Sequence, residues 1–61
     1  SRLLLSVREA ARLLAIGRTL IYQEIGRGRL RAVKIGRRTL IPRVEVEEYV
    51  ARRLAEAGID Q

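Results

Sequence analysis

Neither cysteine nor histidine occurs in this chain of 61 residues. Without them no disulfide and no ordinary zinc site can staple the fold, and the side chain that most often moves protons near neutral pH is missing. Carboxylates could do that work only with shifted proton affinities in a closed cleft. Five of the seven acids lie from Glu45 onward, in a solvated helix pattern. A chain this short buries about 60% of the surface exposed when unfolded, too little to build a deep pocket. No enzymatic activity, small-molecule substrate, cofactor or metal is therefore expected.

Aromatic residues are nearly as scarce: there are two Tyr and no Phe or Trp. Binding of single-stranded nucleic acid relies on aromatic stacking platforms, which this composition does not supply. No apolar run approaches the roughly 20 residues that cross a bilayer, and Ser1 to Leu5 is too short for a signal peptide. Lack of cysteine fits a reducing compartment. The expectation is a soluble cytoplasmic protein with no membrane partner. Repeats, linkers and low-complexity segments are also missing, so residues 1–61 are expected to form one domain.

What the chain does have is positive charge, unevenly placed. Residues 1 to 44 carry eleven Lys or Arg against two Glu, or +9, whereas residues 45 to 61 carry two Arg against five acids, or −3. Twelve of the thirteen basic residues are Arg. A coding bias could produce that ratio, but not the segregation along the chain, so location is the stronger signal. One part is suited to touch a polyanion and the other to stay off it.

Ser6-Val7-Arg8-Glu9 has the capping-box form that opens a helix. Val7, Ala10, Ala11 and Leu14 follow at i, i+3, i+4 and i+7, a narrow apolar stripe whose alanines allow close approach of a second helix. Gly17 interrupts this pattern. A second helix period starts at Arg18, with Ile21 and Ile25 inward, Tyr22 and Glu24 on the flanks, and Thr19, Gln23 and Arg27 pointing away. Only Ala15 to Gly17 separate the two, which matches helix-turn-helix geometry. Gly26 and Gly28 end the second helix through the left-handed conformation open to glycine.

Arg31 to Ile35 and Thr39 to Ile41 are β-branched-rich runs on either side of Gly36-Arg37-Arg38, which reads as a hairpin. Its turn has either two residues, Gly36-Arg37, or three, ending at Arg38. That choice decides which of Leu40 and Ile41 faces inward. Leu3 to Leu5 is a candidate short strand beside it. Pro42 stops the hairpin, and a third helix carries Val46, Tyr49, Val50, Leu54 and Ala57 on one stripe. Glu45, Glu47 and Glu48 lie in its first turns, Glu48 and Arg52 are spaced as an i, i+4 ion pair, and Gly58 caps its end.

Helix, turn and basic ribbon together fit a module that grips double-stranded DNA, whose phosphates attract Lys and Arg and whose major groove admits one helix. In the second helix Arg18, Thr19 and Gln23 are candidate base readers, with Tyr22 near a phosphate and Arg27 completing the face. At the ribbon, Gly36 allows close approach of backbone, while Arg37 and Arg38 can lie on phosphates or enter an A·T-rich minor groove. Lys34, Arg31 and Arg29 add backbone contacts. The same charges also protect an edge strand from aggregation. Arg8 and Arg12 form a like-charge pair on the first helix that either meets phosphate or is solvated and relieved by Glu9.

These features resemble the excisionase family of small winged helix-turn-helix proteins, related to the DNA-binding domains of MerR-type regulators. The resemblance runs from Leu4 to Leu54. It is carried by Ser6-Val7-Arg8-Glu9-Ala10-Ala11, Arg18-Thr19-Leu20-Ile21-Tyr22, Gly28-Arg29-Leu30, Val33-Lys34-Ile35-Gly36-Arg37-Arg38 and Ile41-Pro42-Arg43. The fold expected is α+β, a winged helix-turn-helix with two N-terminal helices, a two- or three-stranded wing hairpin and a C-terminal helix.

The resemblance implies that Arg18 to Arg27 enters the major groove, the wing around Gly36 and Arg37 meets the adjacent minor groove or backbone, and Val44 to Ala57 packs behind. It further implies an architectural factor that directs excision by a tyrosine or serine integrase and associates with copies of itself on DNA. A prophage-type transcription regulator would use the same domain, and a basic RNA- or protein-interaction module is the rival from another class. Three positions depart from the family pattern: Gly17 in place of a Ser or Thr cap, Glu24 where an apolar residue is usual, and Thr39 in place of an aromatic at the wing.

Overall fold

The capping box at Ser6 forms as the sequence predicts: the Glu9 amide donates to Ser6 Oγ at 3.0 Å and the Ser6 amide donates to Glu9 Oε1 at 2.8 Å. In the computed structural model, which describes residues 2–58, this box joins strand β1 (Leu4–Ser6) to helix α1 (Val7–Leu14) without a loop. Helix α2 (Arg18–Gly26), strands β2 (Val33–Ile35) and β3 (Arg38–Pro42) and helix α3 (Arg43–Glu56) follow. The strands form one antiparallel sheet in the order β1-β3-β2. This is the α+β winged helix-turn-helix expected from sequence, with the wing in its three-stranded form. The first strand lies one residue later than Leu3 to Leu5, because Ser6 pairs with Leu40 before it caps α1.

Between α1 and α2 the chain turns in three residues. Ala15 takes a left-handed conformation (φ 59°), and the Ile16 amide reaches back to the Ala11 carbonyl at 3.0 Å. Few non-glycine residues adopt that conformation, since Cβ crowds the backbone. At the end of α2 the corresponding residue is Gly28 (φ 77°), while Gly26 stays helical and contributes no left-handed turn.

Pairing of Ile35 with Arg38 shows that the hairpin turn has two residues, Gly36 and Arg37. Gly36 has φ 61° and Arg37 does not have a positive φ, the pattern of a turn with glycine at its first central position. Ile41 therefore faces inward, fully buried opposite Leu5, and Leu40 lies half-buried on the other face. The hairpin strands differ from the expected runs: β2 starts only at Val33, and β3 extends from Arg38 through Pro42.

Pro42 pairs with Leu4 and at once precedes α3, so it ends the strand and starts the helix. The Arg43 amide closes this corner by donating to the Leu3 carbonyl at 2.8 Å.

The core consists of Leu5, Val7, Ala10, Ala11, Ile21, Leu30, Ile41, Val46 and Tyr49, with Leu14, Ile16, Ile25 and Ala32 packed against it. Of the stripe expected on α3, Val46 and Tyr49 are buried and Leu54 half-buried. Val50 is 39% exposed and Ala57 lies beyond the helix. The expected Glu48–Arg52 ion pair does not form; Arg52 Nη2 instead donates to the Arg29 carbonyl at 2.5 Å and ties α3 to the turn before β2. An exposed i, i+4 pair stabilises by only a few tenths of a kcal/mol, so a tertiary hydrogen bond can outcompete it. Gly58 ends the helix with φ 75°, as expected. Among the described residues no helix is long and apolar enough to cross a membrane.

Two substitutions test this packing in opposite directions by thermal or urea unfolding. Ile21→Ala should destabilise by about 2–5 kcal/mol through the cavity it leaves. Ala15→Gly should stabilise by about 1 kcal/mol by relieving the left-handed alanine, raising Tm by about 4–8 °C in a domain of this size.

Candidate nucleic-acid interface

Helix α2 has two unlike faces. Ile21 and Glu24 are buried and Ile25 is half-buried, whereas Arg18, Thr19, Tyr22 and Gln23 are exposed along the opposite side. Residues at i, i+1, i+4 and i+5 form one ridge on a helix, so these four side chains present a single surface. Tyr22 is 55% exposed, a ring standing in solvent. Gly17 caps α2 with its backbone alone, no side chain closes its N-terminus, and no acid lies in its first turn. The dipole and Arg18 therefore add to the same positive end.

The wing is an edge ribbon with every residue of β2 exposed. Alternation along the paired strands places Lys34 and Thr39 on the face that carries Ile41, and Val33, Ile35, Arg38 and Leu40 on the other. Lys34 and Arg38 are thus on opposite faces of the ribbon, with Gly36 and Arg37 at the tip between them. Arg38 is close enough to Glu9 to lower its carboxyl pKa. That carboxyl is held down chiefly by the Ser6 amide, opposed by its partial burial and aided by Arg2.

Arg2 takes Glu9 as its ion partner, so Glu9 does not relieve Arg8 and Arg12 through a direct pair. Arg8, Arg12, Arg18, Arg31, Lys34, Arg37 and Arg38 make no ion pair among the described residues and are all exposed. These seven cations, on α1, α2, the segment before β2 and the wing, are left without an ion partner among the described residues, the kind of charge that attracts a polyanion.

Arg27 and Arg29 differ from these seven. Glu24, expected on the flank of α2, is only 3% exposed and lies at the centre of a polar junction. Its Oε1 accepts a 2.8 Å hydrogen bond from the Tyr49 hydroxyl and lies 3.9 Å from Arg29 Nη1; its Oε2 lies 3.5 Å from Arg27 Nη1. Its carbonyl accepts the Arg29 and Leu30 amides at 2.9 and 3.3 Å. The Tyr49 hydrogen bond, opposed by burial and reinforced by Arg29 and Arg27, holds the Glu24 carboxyl below the ordinary carboxylate range. Burial and the Glu24 carboxylate push the Tyr49 hydroxyl up.

Sequence reasoning missed this junction, although two signals were available. Glu24 lies between Ile21 and Ile25 at core spacing, and Tyr49, on the α3 stripe, needs a partner for its hydroxyl once buried.

A family model described as a helix-turn-helix domain matches residues 4–54. A probable excisionase of Saccharopolyspora erythraea is 43% identical over 56 residues, which cover 92% of this chain and 57% of that protein. The chain thus spans a little over half the length of that relative. No solved structure matches it.

The junction makes a pH prediction. Glu24 and Glu9 have lowered carboxyl pKa values, so their stabilisation is present above the unfolded carboxylate pKa and lost as pH falls through the folded values. The Tyr49 contribution is present below the unfolded phenol pKa and lost as pH rises through its raised folded value. Thermal melts across pH should show a plateau falling at both ends, and Glu24→Gln should reduce both falls.

Proposed function

Because this chain belongs to the helix-turn-helix domain family, we propose that it binds double-stranded DNA with the exposed face of α2 in the major groove and the wing beside it. Arg18, Thr19, Tyr22 and Gln23 present donors and acceptors to base edges and nearby phosphates, where Arg matches guanine and Gln matches adenine. Lys34, Arg37 and Arg38 lie along a ribbon thin enough to follow a groove, Arg31 lies two residues before it, and Gly36 leaves one of the two tip positions without a side chain. Arg8 and Arg12 reach the backbone from α1. The observation that carries this reading is the set of unpaired cations on α1, at the start of α2 and on the wing, in the basic part of a chain whose residues 45 to 61 carry −3.

The relative named a probable excisionase supports a finer role: an architectural factor that directs a tyrosine or serine integrase toward excision. One small module makes a modest interface, and neighbouring copies on tandem sites would raise the effective affinity through multivalency.

Footprinting tests this role, with tandem protection at an attachment site expected and protection of a lone promoter operator counting against it. Filter binding should show duplex competing far better than single strands. Affinity for duplex should fall with salt at a log-log slope of about −0.9 per phosphate neutralised, and Arg37→Ala should flatten that slope by about one such contact. An unchanged slope removes the wing tip from the interface. Gln23→Ala should reduce discrimination between a selected site and its single-base variants by about 1–3 kcal/mol at one base pair.

A further inference from the structure

We infer that Glu24 is a positioning residue for DNA contact: its buried carboxylate, anchored by Tyr49, holds Arg27 and Arg29 in the orientation they carry to the duplex. The inference rests on the reading of α2 as a DNA-contacting helix and extends it to Arg27 and Arg29 at its end, both of which the sequence marks as candidate DNA contacts. Glu24 is buried, accepts from Tyr49 and Arg27 and has Arg29 as an ion-pair neighbour, yet none of the base-reading roles proposed above needs it.

Its two oxygens are divided between the two arginines. Oε2 faces Arg27 at 3.5 Å, and Oε1 faces Arg29 at 3.9 Å while accepting from the Tyr49 hydroxyl at 2.8 Å. The Glu24 side chain is 5% exposed, and those of Arg27 and Arg29 are 60% and 51% exposed. Each arginine therefore brings one Nη1 to the carboxylate, Arg27 at hydrogen-bond distance and Arg29 at ion-pair distance, while its side chain stays more than half exposed. An arginine offers five donors in a planar fork, so one edge can be tethered while another meets a phosphate or a base.

A free surface arginine must give up its rotamer freedom on binding, and tethering removes part of that loss beforehand. The effect on the two kinds of DNA contact differs. At a cognate site, where aim matters, the tether helps. On arbitrary sequence, where any cation near any phosphate suffices, the Glu24 charge only opposes binding. The carboxylate should therefore raise the ratio of specific to non-specific affinity.

Location supports this role over a purely structural one. The Glu24 carbonyl already fixes the turn by accepting the Arg29 and Leu30 amides, a function that any side chain at position 24 would retain. Tyr49 anchors the carboxylate from α3, so the aim of both arginines is set from the core.

The test compares wild type, Glu24→Gln and Tyr49→Phe for binding to a duplex enriched by the wild-type protein from a random pool and to an unrelated duplex of equal length. Gln keeps an acceptor for Tyr49 but removes the charge that holds the arginines. The selected-to-unrelated affinity ratio should fall about fivefold in Glu24→Gln, part of what one well-aimed arginine contributes, with binding to unrelated duplex unchanged or stronger. Tyr49→Phe should lower the ratio less. Should Glu24→Gln fail to fold, the ratio is read on Tyr49→Phe alone.

Arg27→Ala and Arg29→Ala should each lower the ratio less in the Glu24→Gln background than in wild type. Wild-type preference with an unchanged Glu24→Gln ratio, even alongside a lower Tm, overturns this inference and leaves the DNA reading intact. No wild-type binding to any duplex overturns both.

Discussion

The register of β3 is the constraint on which the rest of this molecule depends. With Gly36 and Arg37 as the turn, Ile35 meets Arg38 and Leu5 meets Ile41, so Ile41 enters the core. A slip of one residue would turn Ile41 outward and Leu40 inward and reverse every side chain of the ribbon. β3 is the central strand, packed against both α1 and α3 and paired with β1 and β2. So few residues are buried that no second cluster could compensate for its loss.

From that register follows the division of labour in charge. α1 packs against α2, whose Ile21 enters the shared core, and the opposite side of α2 is left exposed to solvent. α3 packs behind through Val46 and Tyr49. Its acids lie on the segment opposite in sign to the rest of the chain. Attraction of a polyanion to the cations of the first 44 residues would orient the protein before any base is read.

Glu24 is where the two requirements of a small DNA-binding domain meet. Buried charge is costly unless paired and hydrogen-bonded, and here every partner comes from the protein: Tyr49 from the core side, Arg27 and Arg29 from the surface side. Among the described residues no buried side-chain polar atom lacks a hydrogen-bond partner. A polar residue thus fills a position that an apolar one could occupy, and links the core to the surface proposed to meet DNA.

Local rules alone determined much of this protein. The capping box at Ser6, the three-residue turn at Ala15 to Gly17, the exposed ridge of Arg18, Thr19, Tyr22 and Gln23, and the Gly36-Arg37-Arg38 ribbon all follow from contacts between residues a few positions apart, which a sequence displays directly. Tertiary structure decided what depends on partners distant along the chain. Ile41 rather than Leu40 faces inward because β1 and β2 pair with β3 in one register. Lys34 and Arg38 part to opposite faces for the same reason. Glu24 leaves the flank for the interior, and Arg52 leaves Glu48 for the Arg29 carbonyl. In these last cases the deciding partner lies more than twenty positions away, and periodicity along one helix carries no information about a group that only folding brings near.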